Sequence, residues 1–385
     1  MKELLNEIKP QVLEIFHHLH ENPEVSWNEY QTTAYISEIL MKNDLEVTSF
    51  GDMPGIVGNW YPKEGRNKLT VGLRADMDAL LQEVDGTIRA NHSCGHDAHM
   101  TIVLGVLLLL RKMKSNLPGT LKFIFQPAEE VGEGALKMIE KQVLDDIDFL
   151  YGLHLRPIQE IKYGQAASGI IHGSADTVFG EIHGFDGHGA RPHLTLNAIE
   201  VITDIVEQLK GIRLNPQLSY SVKMTQVSAG GENANIIPGS SKFSLDLRAQ
   251  TNEAMDELIE KVDDVLTKMS VFHQCQISFE HKERVYAACI DQEAERFMEK
   301  AIEKTLGAKG VVKPIITPGG EDFHFYTKER PAIKATMLGV GCDLKPGLHH
   351  PNMAFNQEAI FTGIEILTRA VIETFSKYNN KEGII

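Results

Sequence analysis

The 385-residue chain is poor in cysteine: it has four, Cys94, Cys275, Cys289 and Cys342. Their spacing forms no CxxC pair and no dense scaffold, so a reducing compartment is expected. The chain is also short of positive charge, with 38 Lys and Arg against 53 Asp and Glu, a formal net charge of −15. A nucleic-acid binder needs a basic footprint to displace counterions, so that class is excluded, and the acidic excess reads as a solvated surface. No long hydrophobic run is present. The most apolar stretch, 102–110, is too short to span a bilayer and is followed by Arg111, Lys112 and Lys114, so it reads as a buried helix. The N-terminal MKELLNEIKPQVLEIF is amphipathic and charged and lacks the apolar centre of a signal peptide. Low-complexity tracts are absent. A cytoplasmic protein with neither a membrane nor a nucleic-acid partner is expected.

What is present is ordinary globular material, 42% hydrophobic and 24% charged, in a chain too long for one core. Short apolar runs at 69–73, 121–125 and 148–154 predict buried strands. They are separated by a helix over 97–114, with Asp97 as its N-cap, and another over 134–143. Buried strands alternating with helices imply an α/β, doubly wound, mostly parallel sheet. Between about 175 and 282 the order changes to strand, helix, strand, strand, helix, strand, the βαββαβ pattern of a ferredoxin-like domain. Further helices over 291–306 and 358–375 and a strand over 335–341 return to the first pattern. The expected organisation is a discontinuous domain, 1–174 and 283–385, carrying an inserted lid or dimerisation domain, 175–282. An inserted sheet can offer an edge or a helix face to a second copy, so a homodimer is expected.

Ligands of open α/β sheets bind beyond the carboxyl ends of the strands. Four predicted strand ends carry Arg74, Asp76 and Asp78; Glu129 and Glu130; His154; and His349 and His350, while the loop before the 97–114 helix adds Cys94 and His96. Thiolate, imidazole and carboxylate together have the composition of a transition-metal site. Cys94 and His96, two apart in an extended loop, would share a face. Taken singly, each has a plainer reading: a lone cysteine is more often a buried small hydrophobe, and a Glu-Glu pair a solvated surface. Convergence on one rim favours the metal. Adjacent glutamates diverge, so Glu130 can coordinate while Glu129 acts as general base on a metal-activated water, whose pKa falls towards about 7.

Several stretches resemble a known family: LHENPEVSWNE (19–29), LRADMDAL (73–80), HSCGHDAHM (92–100), FIFQPAEE (123–130), GLH (152–154), GHGARPH (187–193), NIIP (235–238), LDLRA (245–249), PGGEDF (318–323) and LHHP (348–351). In this order they resemble the dinuclear metallopeptidase and aminoacylase superfamily. The resemblance is closest to the amidohydrolase branch of hippurate hydrolases, auxin-amide hydrolases and N-acetyldiaminopimelate deacetylases. It implies two divalent ions per subunit, with Zn, Mn, Co and Ni all compatible. Cys94 would bridge them, His96 and His154 would complete one site, and Glu130 and His349 the other. It implies Glu129 as the base and His188 as a donor to the scissile carbonyl, supplied across a dimer. Asn235 and Arg248 would hold substrate, and Gly319 and Gly320 would line a loop where it packs closely. Read from the residues alone, Arg248 is an exposed strand residue and His188 a turn residue. Three positions depart from the family pattern: Leu81 replaces a proline in a shortened loop, His18 replaces an arginine, and Asp76 stands where the wider superfamily has a metal-binding histidine. The resemblance leaves Asp78 as a residue that orients a ligand.

The implied activity is hydrolysis of an N-acyl amino acid or related small amide. Three alternatives remain: a dipeptidase or carboxypeptidase on the same metal site, a catalytically silent metal-stabilised binding protein, and a Cys94 nucleophile.

Overall fold

A strand that buries every residue can exist only where both faces of its sheet are covered. Thr70–Asp76 and Thr120–Gln126 are such strands, and they lie side by side in parallel. The structure, a computed structural model, describes residues 1–62 and 69–379. In chain order it begins with α1 (Lys2–Glu21), α2 (Tyr30–Lys42), β1 (Glu46–Ser49), β2 (Ile56–Trp60), β3 (Thr70–Asp76), β4 (Leu80–Val84), β5 (Thr87–Asn91), α3 (His96–Lys112), β6 (Thr120–Gln126), α4 (Gly134–Glu140), β7 (Phe149–Pro157), β8 (Ala166–Ala167) and β9 (Ile170–His172). There follow β10 (Ser174–His183), β11 (Gly187–His188), α5 (Ala198–Leu209), β12 (Tyr220–Ala229), β13 (Ile236–Ile237), β14 (Ser241–Ala249), α6 (Asn252–Phe272) and β15 (Gln276–Val285). The chain closes with α7 (Gln292–Leu306), β16 (Val311–Val312), β17 (Ile315–Thr317), α8 (His324–Glu329), β18 (Lys334–Leu344) and α9 (Glu358–Asn379).

Two compact units result. The larger comprises Met1–Ile171, Cys289–Ile316 and the chain from Asp322 onward; the smaller comprises His172–Ala288 and Thr317–Glu321. The larger unit holds an eight-stranded sheet in the order β1-β2-β6-β3-β7-β18-β8-β16. Its centre, β6-β3-β7-β18, is parallel, and β2 joins it antiparallel. The mostly parallel α/β sheet expected from the alternating pattern is therefore present. Helix α3 is buried from His96 to Leu110, so the run 102–110 is a core helix. Among the described residues no helix is long and apolar enough to cross a membrane.

Two local expectations are corrected. The N-cap of α3 lies two residues earlier than the predicted Asp97: Gly95, at φ +89°, precedes the helix, and Asp97 lies inside the first turn. Asp97 instead accepts from Ala98 N and pairs with His20 Nδ1 at 2.7 Å. Helix α4 ends at Glu140 rather than 143, because the chain turns through Gln142 at φ +60°.

The smaller unit is a four-stranded antiparallel sheet, β12-β14-β10-β15, with α5 and α6 as its connections. Val178, Ile182, Leu245 and Leu247 pack against Val201 and Ile205 of α5 and Leu258, Val262 and Leu266 of α6. Thr251 caps α6 by accepting from Ala254 N, and Asn197 caps α5 by accepting from Ile199 N. A two-stranded ribbon, β11-β13, is added to this frame.

His281 of β15 ties the sheet to α6: Nδ1 lies 2.7 Å from Asp176 Oδ1 and Nε2 lies 2.9 Å from Asp263 Oδ1. Burial disfavours its charge, but hydrogen bonds to Asp263 and Asp176 outweigh that and raise its pKa above the usual 6.5. A raised histidine contributes stability that is complete below the unfolded-state value and fades as pH climbs through the folded one. His281→Ala should therefore cost about 1–2 kcal/mol near pH 6 and less near pH 9, read from urea melts. A cost that grows with pH would contradict this assignment.

Candidate metal centre

The site begins with a charge that has no access to water. Arg74 on β3 is wholly buried, and a buried guanidinium requires anionic partners. Its Nη1 donates to Asp76 Oδ2 at 2.7 Å, its Nη2 to Asp322 Oδ1 at 2.7 Å, and its Nε to Gln126 Oε1 at 2.8 Å. The other Asp76 oxygen lies 2.7 Å from His99 Nδ1, and His99 Nε2 accepts from Leu155 N at 3.0 Å. A carboxylate only accepts and a backbone amide only donates, so His99 is neutral with its proton on Nδ1. Both of its nitrogens are thus committed. Asp76, His96 and His99 come close enough to suggest a metal group, but Asp76 is held by Arg74 and His99 and both nitrogens of His99 are committed, so His96 Nε2 is the atom of this group without a hydrogen-bond partner.

The loop after β6 is held by three buried carboxylates. Glu29 accepts from Ala128 N at 2.8 Å, Asp78 from Glu130 N at 3.0 Å, and Asp322 from Ala135 N at 2.9 Å. Ala128 is left-handed at φ +54°. The turn back into α4 passes Gly134, where a Cβ would stand 1.7 Å from Pro127 O. Glu129 and Glu130 thus project from a backbone with little freedom. Glu29 is fully buried, and burial, then Asp78, pushes its pKa up to about 8.

Six predicted residues meet in the larger unit. Cys94, His96 and His154 form one group and Cys94, Glu130 and His349 a second, the ligand atoms within each lying within 4.8 Å of one another. Cys94 belongs to both. His96, Glu129 and Glu130 form a third group, with Glu129 Oε2 3.9 Å from His96 Nε2. The expectation of an extended Cys94–His96 segment is corrected: Gly95 is left-handed, and the bend at the helix start turns both side chains to the cluster. Exposure is graded across it. His96 is fully buried and Glu130 nearly so, whereas the His349 side chain is 55% exposed and marks the solvent side.

The donors are oriented for a cation. His96 Nδ1 lies 3.2 Å from Asp78 Oδ1, which places the proton on Nδ1 and leaves Nε2 facing the cluster without a hydrogen-bond partner. Asp78 also accepts from Ser26 Oγ at 2.7 Å. His154 Nδ1 donates to Leu155 O at 2.6 Å, so its Nε2 carries a lone pair, 3.5 Å from Cys94 Sγ. Glu130 Oε1 likewise has no hydrogen-bond partner. Buried polar atoms left unpaired are rare. Two of them here, within a thiol, imidazole and carboxylate set, fit a divalent transition metal.

Electrostatics agrees. Burial, reinforced by Glu130, pushes the Cys94 thiol well above its usual range. Burial also raises Glu130 and drives His154 well below the usual histidine value. Burial opposes the charge on His96, but Asp76, Cys94 and Asp78 together raise it well above 6.5. The carboxylates around His96 therefore favour a positive charge at its Nε2, a proton in the metal-free cluster that an incoming cation would displace, while burial favours the neutral forms of Cys94 and His154.

The remaining predicted residues lie in the smaller unit. His188 on β11 pairs with Ile236 across the ribbon, and Gly189 N donates to Asn235 O at 2.8 Å, so His188 and Asn235 are neighbours. Arg248 on β14 is 41% exposed and pairs with Asp246 at 2.8 Å. Gly319 O accepts from Gly173 N at 3.2 Å, and Gly320 lies beside Val285. Sequence reasoning overlooked Glu29, Gln126, His99 and Asp322. A signal was available for Gln126 alone, a polar side chain closing the apolar run FIF; Glu29, His99 and Asp322 lie outside the strands.

Comparison with known proteins bears on the chemistry. Residues 72–373 match the model of peptidase family M20/M25/M40. The chain is 30% identical to an N-acetyldiaminopimelate deacetylase of Bacillus cytotoxicus, over 92% of this chain and 95% of that one. It is 28% identical to thermostable carboxypeptidase 2 of Saccharolobus solfataricus, over 91% of each. Its fold matches a Bacillus subtilis structure described as a dinuclear metal-binding peptidase, with TM-score 0.80, 23% identity, and coverage of 98% of this chain and 99% of the other.

Replacing Arg74 by Met keeps its bulk but leaves Asp76 and Asp322 buried with a partner gone. A loss of about 3–5 kcal/mol is expected in chemical melts; a change below about 0.5 kcal/mol, normal for surface positions, would show that the network is not needed.

Proposed function

The chain belongs to peptidase family M20/M25/M40 and is a metal-dependent hydrolase, and from that premise we propose that it cleaves the amide bond of an N-acyl amino acid with Glu129 as general base. The observation that carries this reading is the pair of donor groups sharing Cys94, with Glu129 beside them. Two divalent ions per chain would be held by Cys94 in common, one with His96 and His154, the other with Glu130 and His349. Zn, Mn, Co and Ni all suit this donor set. When bound, such ions lower the pKa of water and polarise a carbonyl oxygen.

The chain's own residues supply the rest. Glu129 accepts a proton as water oxygen bonds to the acyl carbon, and returns it to the departing nitrogen as the C–N bond breaks, giving a carboxylate and an amine. Asp78 holds the His96 ring in the tautomer that presents Nε2. His188 donates to the carbonyl oxygen as negative charge develops there, reaching it from a partner subunit of a homodimer. Arg248 and Asn235 bind the substrate carboxylate, a match for a guanidinium fork, and Gly319 and Gly320 allow its backbone close approach. Four free thiols suit a reducing compartment, the cytoplasm. The carboxypeptidase relative supports a second reading, the same chemistry on dipeptides.

Glu129→Gln should lower turnover by about 10²–10⁴-fold with metal content unchanged; undiminished turnover removes Glu129 as the base. On a panel of N-acetyl amino acids, N-benzoyl amino acids and dipeptides, the acyl amino acids should be cut fastest. Dipeptides cut faster than all of them would establish the second reading. Mixing inactive His188→Ala and Glu129→Gln chains should restore up to about one quarter of wild-type activity, the statistical share of repaired sites in a two-fold dimer. No recovery after subunit exchange would place His188 in its own chain's site or outside the reaction.

A further inference from the structure

His349 is the most exposed of the clustered donors, and its imidazole has one charged neighbour in the cluster, Glu130 Oε2 at 3.5 Å. Packing of its own ring does little to fix it. Its backbone is left-handed at φ +64°, a region that a β-carbon disfavours, so it persists only where the surroundings impose it. Those surroundings are the loop carrying Cys94 and the hairpin β4–β5.

We infer that Gln82 is a positioning residue for the metal centre: its carboxamide locks the His349 backbone to the Cys94 loop and thereby places the His349 imidazole. Gln82 Nε2 donates to His349 O at 2.7 Å. Gln82 Oε1 accepts from Ser93 Oγ at 2.8 Å and from Asn91 Nδ2 at 3.2 Å. His349 N donates to Ser93 O at 2.8 Å, which closes a ring of three hydrogen bonds through Gln82, Ser93 and His349. Asn91 Nδ2 extends the clasp to Pro351 O at 3.0 Å. Both backbone polar groups of His349 are thus consumed.

Only an amide serves here. The carbonyl of His349 requires a donor and Asn91 Nδ2 requires an acceptor, so the amide orientation is determined. A glutamate would keep the acceptor but set an oxygen against the His349 carbonyl. The hairpin holds Gln82 in place, since Leu80↔Asn91 and Gln82↔Arg89 are paired across it. On this account the hairpin that follows Asp78 in sequence is the brace between two ligand loops. His350 is outside the ring: its Nδ1 accepts from Asn352 N.

The inference rests on the reading that His349 holds an ion, and the test separates the two. Metal-depleted full-length protein is titrated with Co²⁺, following thiolate-to-cobalt absorbance and stoichiometry, beside melting curves of the metal-free forms. Wild type should bind two ions. Gln82→Ala and Gln82→Glu should melt close to wild type when metal-free and keep one tight site. Their second site should weaken about 10–100-fold, as expected for loss of an outer hydrogen bond to a ligand, and His349→Ala should lose that same site. Saturating Co²⁺ should restore turnover to the Gln82 variants and not to Glu129→Gln. Two wild-type affinities in both Gln82 variants, with His349→Ala defective, overturn the clamp alone. Wild type binding no Co²⁺, or His349→Ala binding two normally, overturns the proposed centre and the clamp with it.

Discussion

One wholly buried guanidinium organises the larger unit. Arg74 cannot be solvated, so its N–H groups must be met by protein, and three of its partners come from β3, β6 and the segment leading into α8. Each partner then does a second task. Asp76 fixes the proton on His99, Gln126 accepts from Tyr326, and Asp322 accepts from the first turn of α4. The strand ends are thereby joined by directional bonds where hydrophobic packing alone would allow sliding. Asp76, read from strand-end position as a possible ligand, is instead part of this scaffold.

Above that scaffold the donor-bearing loops share a backbone device. Gly95, Ala128 and His349 are all left-handed, and each stands beside or at a metal-site residue. Such conformations let a loop reverse sharply and present side chains inward. For the two that carry a β-carbon they cost energy, which neighbouring hydrogen bonds must offset. Glu29 and Asp78 do this for the loop of Glu129 and Glu130, and Ser93 with Gln82 does it for His349. The cluster is preorganised in this sense: hydrogen bonds to its loop backbones and to the outer ring nitrogens of His96 and His154 hold it, leaving His96 Nε2 and Glu130 Oε1 without hydrogen-bond partners.

The smaller unit obeys simpler rules. Alternating strands and two capped helices bury one face of an antiparallel sheet, and the order β12-β14-β10-β15 follows from the βαββαβ pattern. Its ribbon β11-β13 brings His188 and Asn235 together although they are 47 positions apart. Neither residue announces this by periodicity, because two-residue strands are too short to carry a pattern.

The sequence by itself determined the parallel core and the insertion, and its strand ends with the Cys94 loop offered a set of donors from which the family resemblance picked the six that cluster. Buried strands read as apolar runs, and in an α/β sheet their carboxyl ends converge on one rim wherever the helices lie. The motifs CGHD, QPAEE and LHHP pointed to the chemistry. Only the tertiary structure decided which nitrogen of His96 and of His154 faces the cluster, that Asp76 is held by Arg74 and His99, and that His349 is clasped by Gln82. These depend on partners up to 267 positions away, and a hydrogen bond between distant side chains leaves no local period or propensity in the chain. Metal-dependent chemistry was therefore legible from composition and order, while the rigidity that makes the cluster a site was decided by the fold.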